Sequence, residues 1–252
     1  MSASVPPLLG LARALRAQTR AAAGDLPLLG ICLAAIVLSA SIGASVPDVS
    51  FAPEEAKSAI VEPLSTVIAV YSAVMATIYG SFRYTVDRRG GVVAQRATLQ
   101  PRRWGLIARI PFTALGGVLV ALASLLGGHA ALAATLGTRG LAPATLGDVA
   151  IVGAAAAVWG LSMGLLVQAH LPSLFVAPLT LSAALLIAPL WPAVAAWLPL
   201  PALLRAVGFD LTPLGIDVVV GPPSGAAAPL TIAWLVLLLI GGSGAFLRRD
   251  FR

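Results

Sequence analysis

The run Pro63–Ser81, PLSTVIAVYSAVMATIYGS, passes directly into Phe82–Arg109, FRYTVDRRGGVVAQRATLQPRRWGLIAR, and then into Ile110–Leu126, IPFTALGGVLVALASLL. The outer two stretches carry no charged side chain, whereas the middle one carries seven arginines and one aspartate. An apolar helix needs about 20 residues to cross roughly 30 Å of hydrocarbon. Backbone groups in lipid find no water, so each crossing segment must close its own hydrogen bonds as a helix. Arginine-rich links between such helices stay in the cytoplasm. The three stretches therefore predict two membrane spans joined by a cytoplasmic segment, and they set the frame for the rest of the chain.

Two further arginine clusters follow the same logic: Arg13, Arg16 and Arg20 near the start, and Arg248, Arg249 and Arg252 at the end. Between the clusters, four more stretches are long and apolar enough to span. The predicted spans are about 26–46, 63–81, 110–126, 149–169, 173–191 and 229–247. An even number places both termini on one side, here the cytoplasmic one. Thirteen of the 16 basic residues then lie inside, and only Lys57, Arg139 and Arg205 lie outside. Seven of the 10 acids (Asp48, Glu54, Glu55, Glu62, Asp148, Asp210, Asp217) also fall outside. The basic leader is not expected to be a cleaved signal peptide, because its apolar run is too long and the residues before it are patterned.

Composition agrees. The 252 residues are 59% hydrophobic and only 10% charged, with a mean hydropathy of +0.96. A soluble domain carries about a quarter charged residues, so the bilayer must solvate much of this chain. The net charge of +6 is topological, since the arginines cap apolar runs and do not interleave with aromatics; a nucleic-acid partner is not expected. The single cysteine, Cys32, permits no internal disulfide and no cysteine metal cluster. The heavy use of Arg, Ala, Gly and Pro fits a GC-rich bacterial genome, hence a bacterial cytoplasmic (inner) membrane.

Outside the spans, Leu8, Leu9, Ala12 and Leu15 share one helical face while Arg13, Arg16 and Arg20 cover another. This predicts an amphipathic helix over 8–24 lying at the inner surface. Asp25 is placed to cap the first span. The region 192–228 opens on Pro192 and is rich in Trp, Leu and Val, yet it is broken by five further prolines (Pro199, Pro201, Pro213, Pro222, Pro223). It is too apolar for a free loop and too broken for a span, which predicts a helical hairpin re-entering the outer leaflet. Trp191 and Trp197 would anchor at the outer interface.

The cytoplasmic segment 82–109 is too long and too patterned for a turn. The helix leaving the second span is expected to stop at Gly90-Gly91. A short helix over Val92–Leu99 should end before Pro101, and Arg102 and Arg103 should open the helix that becomes the third span. Two short helical arms make a rigid foot that a soluble partner can push.

Here the sequence resembles the permeases of ABC-2 type transporters. Actinobacterial members carry an acid-x-Arg-x-Gly-Thr block followed by Leu-x-x-Pro-Arg-Arg; Asp87, Arg89, Gly91, Pro101, Arg102 and Arg103 take those places by spacing. The ending Phe246-Leu247-Arg248-Arg249-Asp250 is similar to the Arg-Arg-Asp terminus found there. Departures are Asp87 where Glu is usual, Val92 where Thr is usual, and Arg109 where a Lys enters the third span. The resemblance covers the whole chain as architecture and about 30 residues as motif.

What the resemblance implies is a six-span, all-α membrane subunit of an ATP-driven exporter. A separate P-loop ATP-binding cassette subunit would bind and hydrolyse ATP, and a second permease, identical or not, would complete the transport path. The ATPase-coupling residues would be Asp87, Arg88, Arg89, Gly91, Pro101, Arg102 and Arg103, with Asp87, Arg88 and Arg89 making ion pairs to the ATPase. Arg102 and Arg103 are also placed to meet phosphates of membrane lipids. The chain itself has no Gly-x-x-x-x-Gly-Lys-Ser/Thr loop, so no ATPase site of its own and no cofactor are expected. No His-Glu-x-x-His or Gly-x-Ser-x-Gly sequence occurs, and neither a catalytic nor a metal site is expected. The spans hold no charged residue that would mark an ion relay, which favours an apolar or amphipathic cargo. A non-transporting structural or regulatory membrane protein is the alternative reading. Gly160 and Gly164 read as close helix packing, within one subunit rather than at a dimer seam.

Overall fold

A computed structural model describes residues 7–46, 51, 53–136, 143–216 and 221–248. Arg139, Asp48, Asp217, Arg249, Asp250 and Arg252 lie outside these described residues, as do the side chains of Leu8, Glu54 and Glu62. The described chain is all-helical. Its helices are α1 (Pro7–Ala22), α2 (Leu26–Ala44), α3 (Glu54–Arg89), α4 (Val92–Leu99), α5 (Arg102–Leu136), α6 (Pro143–Val167), α7 (His170–Ile187), α8 (Pro192–Ala195), α9 (Pro199–Ala206) and α10 (Ser224–Arg248). A 3-10 turn occupies Thr212–Leu214. Six of these, α2, α3, α5, α6, α7 and α10, are long and apolar enough to cross a membrane, which marks a multi-pass membrane protein.

Two of the six are longer than a bilayer requires. At 1.5 Å per residue, the 36 residues of α3 extend to about 54 Å and the 35 of α5 to about 52 Å. The apolar stretch 63–81 is thus the middle of one continuous helix. Helix α2 begins where expected: Asp25 is its N-cap, and the carboxylate Oδ1 accepts from the Leu28 N–H at 3.1 Å.

Small residues set the packing. Helices α3 and α6 run in parallel and nearly touch, because a Cβ added at Gly80 would stand 2.0 Å from the Ala157 carbonyl oxygen, and one at Gly160 2.0 Å from that of Thr77. The Thr77 hydroxyl donates across this seam to the Ala156 carbonyl at 3.1 Å. Gly160 is therefore a packing residue inside one chain; Gly164, also facing α3, stands where a Cβ would meet Ser81 and Tyr84 at 3.3 Å. On the other side, Ala35, Ser39 and Gly43 form the buried stripe of α2, and the Ser39 and Ser124 hydroxyls meet at 2.5 Å across to α5.

Helix α6 sits at the centre. In its most apolar window 67% of residues are buried, against 17% for α2 and α10 and 22% for α7. The outer helices present Leu29, Leu33, Phe175, Leu179, Val236 and Ile240 outward, as lipid-facing surfaces do.

The bundle has two distinct ends. At one lie α1, the end of α3, α4, the start of α5 and the end of α10, and these hold the described arginines other than Arg205. At the other, α8, α9 and the 3-10 turn fold back over the helix ends. Leu200, Leu204, Leu211 and Ile216 there are at most 1% exposed and join the main core. Thr66 donates its hydroxyl to the Asp210 carbonyl at 3.0 Å, and the Trp234 indole donates to the Trp197 carbonyl at 3.1 Å. Trp191 and Trp197 are exposed.

Candidate functional site: the arginine-rich end

Backbone chemistry frames α4. Gly91 precedes it at φ +72, a left-handed conformation that costs other residues roughly 1–2 kcal/mol. Gln100 ends it in the extended region (φ −153, ψ 153), as the following Pro101 demands. The helix boundaries at Arg89, Val92, Leu99 and Arg102 coincide with those read from the sequence. Val93 is the buried anchor of α4, packed in one cluster with Tyr84, Leu106, Leu161, Leu165 and Phe246. The opposite face of α4 is open, and Leu99 is 85% exposed.

The seven residues assigned to the foot divide into two groups. Asp87 turns inward: the Arg109 Nη2 donates to its Oδ2 at 2.6 Å, and Arg109 is itself buried. Arg88 also turns inward and donates to the Gln168 Oε1. Both side chains thus have partners within the chain. Arg89, Pro101 and Arg103 are exposed, and Arg103 lies over the Trp104 ring at 5.0 Å. Arg102 is half-buried and lines a cleft beside α4.

Gln168 deserves its place in the α6–α7 link by its conformation. It is a non-glycine residue at φ 60, which lets α6 reverse into α7 without a glycine. Its Nε2 donates to the Leu165 carbonyl at 3.1 Å, so two hydrogen bonds offset the strain. Next to it the His170 Nδ1 and the Thr85 hydroxyl share a hydrogen bond at 2.9 Å, and Phe82 meets the His170 ring edge-on at 5.1 Å.

One cluster had no place in the sequence reading. The Arg83 Nε lies 3.2 Å from the Asp25 Oδ2, with both side chains below 10% exposure. The Tyr79 hydroxyl donates to the same oxygen at 3.0 Å. Asp25 therefore caps α2 with one oxygen and fastens α3 with the other. A signal was present: Tyr79, Arg83 and Asp87 are spaced four apart, hence on one helical stripe, and Asp25, Asp87 and Asp250 are the only acids in the arginine-rich segments.

Together the two ion pairs, one buried and one half-buried at Asp87, and the Arg88–Gln168 bond tie α3 to α2, α5 and the α6–α7 link beside α4. Helix α1 braces the same corner: Gly10 packs beside the Trp104 indole, while Arg13, Arg16 and Arg20 on its outer side are exposed. Among the described residues, no three His, Cys, Asp or Glu side chains converge as metal ligands would. No family model and no curated protein matches this chain.

Proposed function

We propose that this chain is the membrane-spanning permease subunit of an ABC-2 type exporter. It sits in a bacterial cytoplasmic membrane with both termini and the α3–α4–α5 foot in the cytoplasm. Helix α1 lies along the inner surface, and α8–α9 re-enter the outer leaflet. A separate P-loop ATP-binding cassette subunit binds ATP and docks on the foot. A second permease, identical or related, completes the path for an apolar or amphipathic cargo.

The observation that carries this reading is the division of labour in the foot. Asp87 and Arg88 bind inward, while Arg89 at the end of α3, and Pro101 and Arg103 at the start of α5, face solvent on either side of the short helix α4. A surface built only to set topology would need charge but no such rigid linkage. Thirteen arginines on one side support the orientation.

The test is the Arg89→Glu/Arg103→Glu double variant, reconstituted with a P-loop ATPase, whose gene this reading expects beside that of the permease. Because both side chains are exposed, folding should be unchanged, while co-purification and stimulated ATP hydrolysis are lost. Retention of both activities would remove the foot as the docking surface.

A further inference from the structure

A cleft opens at the arginine-rich end between α1, α4, the start of α5 and the end of α10. It encloses about 410 Å³ of space between atoms, part of it open to solvent, with a clear centre of about 30 Å³. That centre admits one or two water-sized groups. Tyr84, Arg96 and Arg109 line it, and their Tyr84 Oη, Arg96 Nη1 and Arg109 Nη1 atoms are buried without a hydrogen-bond partner. Tyr84 is 1% exposed and Arg109 6%. Buried donors left unpaired are few in folded proteins, and each calls for an explanation.

The three orphan donors share one cleft and complement one kind of partner. No acid is among the residues lining it. Among the described residues, the carboxylate paired with Arg109 is Asp87, and it is held by the other terminal nitrogen of that guanidinium. Two guanidinium groups are thus near enough for their charges to oppose each other, and a multiply bonded anion between them would relieve that. Guanidinium forks match phosphate oxygens in shape as well as charge. The rest of the wall combines apolar Val93, Leu106, Leu165 and Phe246 with Gln18, Gln100 and a further arginine, Arg102.

We propose that this cleft binds a phosphate group, with Arg96, Arg109 and the Tyr84 hydroxyl donating to its oxygens. The narrow centre takes phosphate oxygens only, and the remainder of the ligand stays at the mouth. Two sources share this chemistry: the headgroup of an anionic phospholipid, which basic pockets beside membrane helices hold, and a soluble phosphate. The assignment does not depend on the exporter reading, since it uses neither Arg89 nor Arg103.

The experiment uses the full-length protein purified in mild detergent. Lipid retention is read by native mass spectrometry and stabilisation by thermal unfolding, with phosphatidylglycerol, diacylglycerol or inorganic phosphate added. Phosphatidylglycerol should bind and raise the melting temperature where diacylglycerol, lacking the phosphate, does not. Charge-assisted hydrogen bonds of about 1.5–3 kcal/mol correspond to roughly 10- to 100-fold in affinity, so Arg96→Gln should weaken binding at least about 10-fold. Tyr84→Phe, which keeps the ring packed on Phe246, should weaken it by several-fold and remains informative if Arg96→Gln does not fold. Displacement of the lipid by inorganic phosphate would assign the soluble source, and indifference to it the lipid source. Equal affinity for phosphatidylglycerol and for inorganic phosphate in the wild type and both variants would overturn the site.

Discussion

Replacing Arg83 by Gln is the sharpest probe of how the arginine-rich end is held. The Asp25 carboxylate has three recorded attachments: the Leu28 N–H on one oxygen, and Arg83 at 3.2 Å and the Tyr79 hydroxyl at 3.0 Å on the other. Arg83 and Asp25 are 8% and 7% exposed, so water screens the pair weakly. Removing one partner of a buried pair strands the other charge, at a cost of about 3–5 kcal/mol. For a chain of this length each kcal/mol moves the melting temperature by about 2–4 °C, which gives a fall of roughly 6–20 °C for Arg83→Gln. Asp25→Asn keeps an acceptor for Leu28 but removes the charge, and on its own it should also destabilise. Combined with Arg83→Gln it should cost clearly less than the two single changes added, because no buried charge is then stranded. The assay is thermal unfolding in detergent at a fixed scan rate, since unfolding of such chains is often irreversible. A single variant melting within about 2 °C of wild type, or a double variant equal to the sum of the singles, would refute the argument that this pair is buried and coupled.

Other outcomes follow from the same structure. Gly160→Ala should destabilise by about 1–3 kcal/mol, since its methyl would press on the Thr77 carbonyl at 2.0 Å. Gly244→Ala in α10 meets nothing within 4 Å and should be neutral or stabilising by up to about 1 kcal/mol; both are read by melting temperature. In a Cys32→Ala background, Arg103→Cys and Pro213→Cys are both exposed and should be labelled by an impermeant maleimide from opposite sides of the membrane. Labelling of both from one side would contradict the bundle's two ends. The Thr212 hydroxyl and then its N–H hold the exposed Asp210 carboxyl below its ordinary range. Its small stabilising effect is present above the unfolded carboxyl value, near 3.9, and is lost as pH falls through the lowered folded value. Thr212→Val should raise the Asp210 titration midpoint in carboxyl NMR.

Legibility from sequence tracked the range of the forces involved. The breaks around α4 were readable because Gly91 and Pro101 act on their own backbone and need no distant partner. The six apolar helices were readable because bilayer thickness imposes length and composition on each segment separately. The true extent of α3 was not, since its first turns, from Glu54, are polar and only the continuous backbone ladder joins them to the apolar middle. The bond between Asp25 and Arg83 was hidden as well. Both residues had sufficient local explanations, one as a helix cap and the other as a topological charge, and only the folded bundle brings them together. Asp87 and Arg88 show the same effect: motif spacing marked the right segment but could not say which side chains turn inward.

The enclosed position of α6, with the far end closed by Leu200, Leu204, Leu211 and Ile216, leaves the described chain with a solid axis. No conduit can run down the middle of a single copy without dismantling its core. In the exporter proposed above, a cargo would therefore have to skirt the perimeter, along the lipid-facing flanks of α2, α7 or α10, with a neighbouring molecule supplying the other wall.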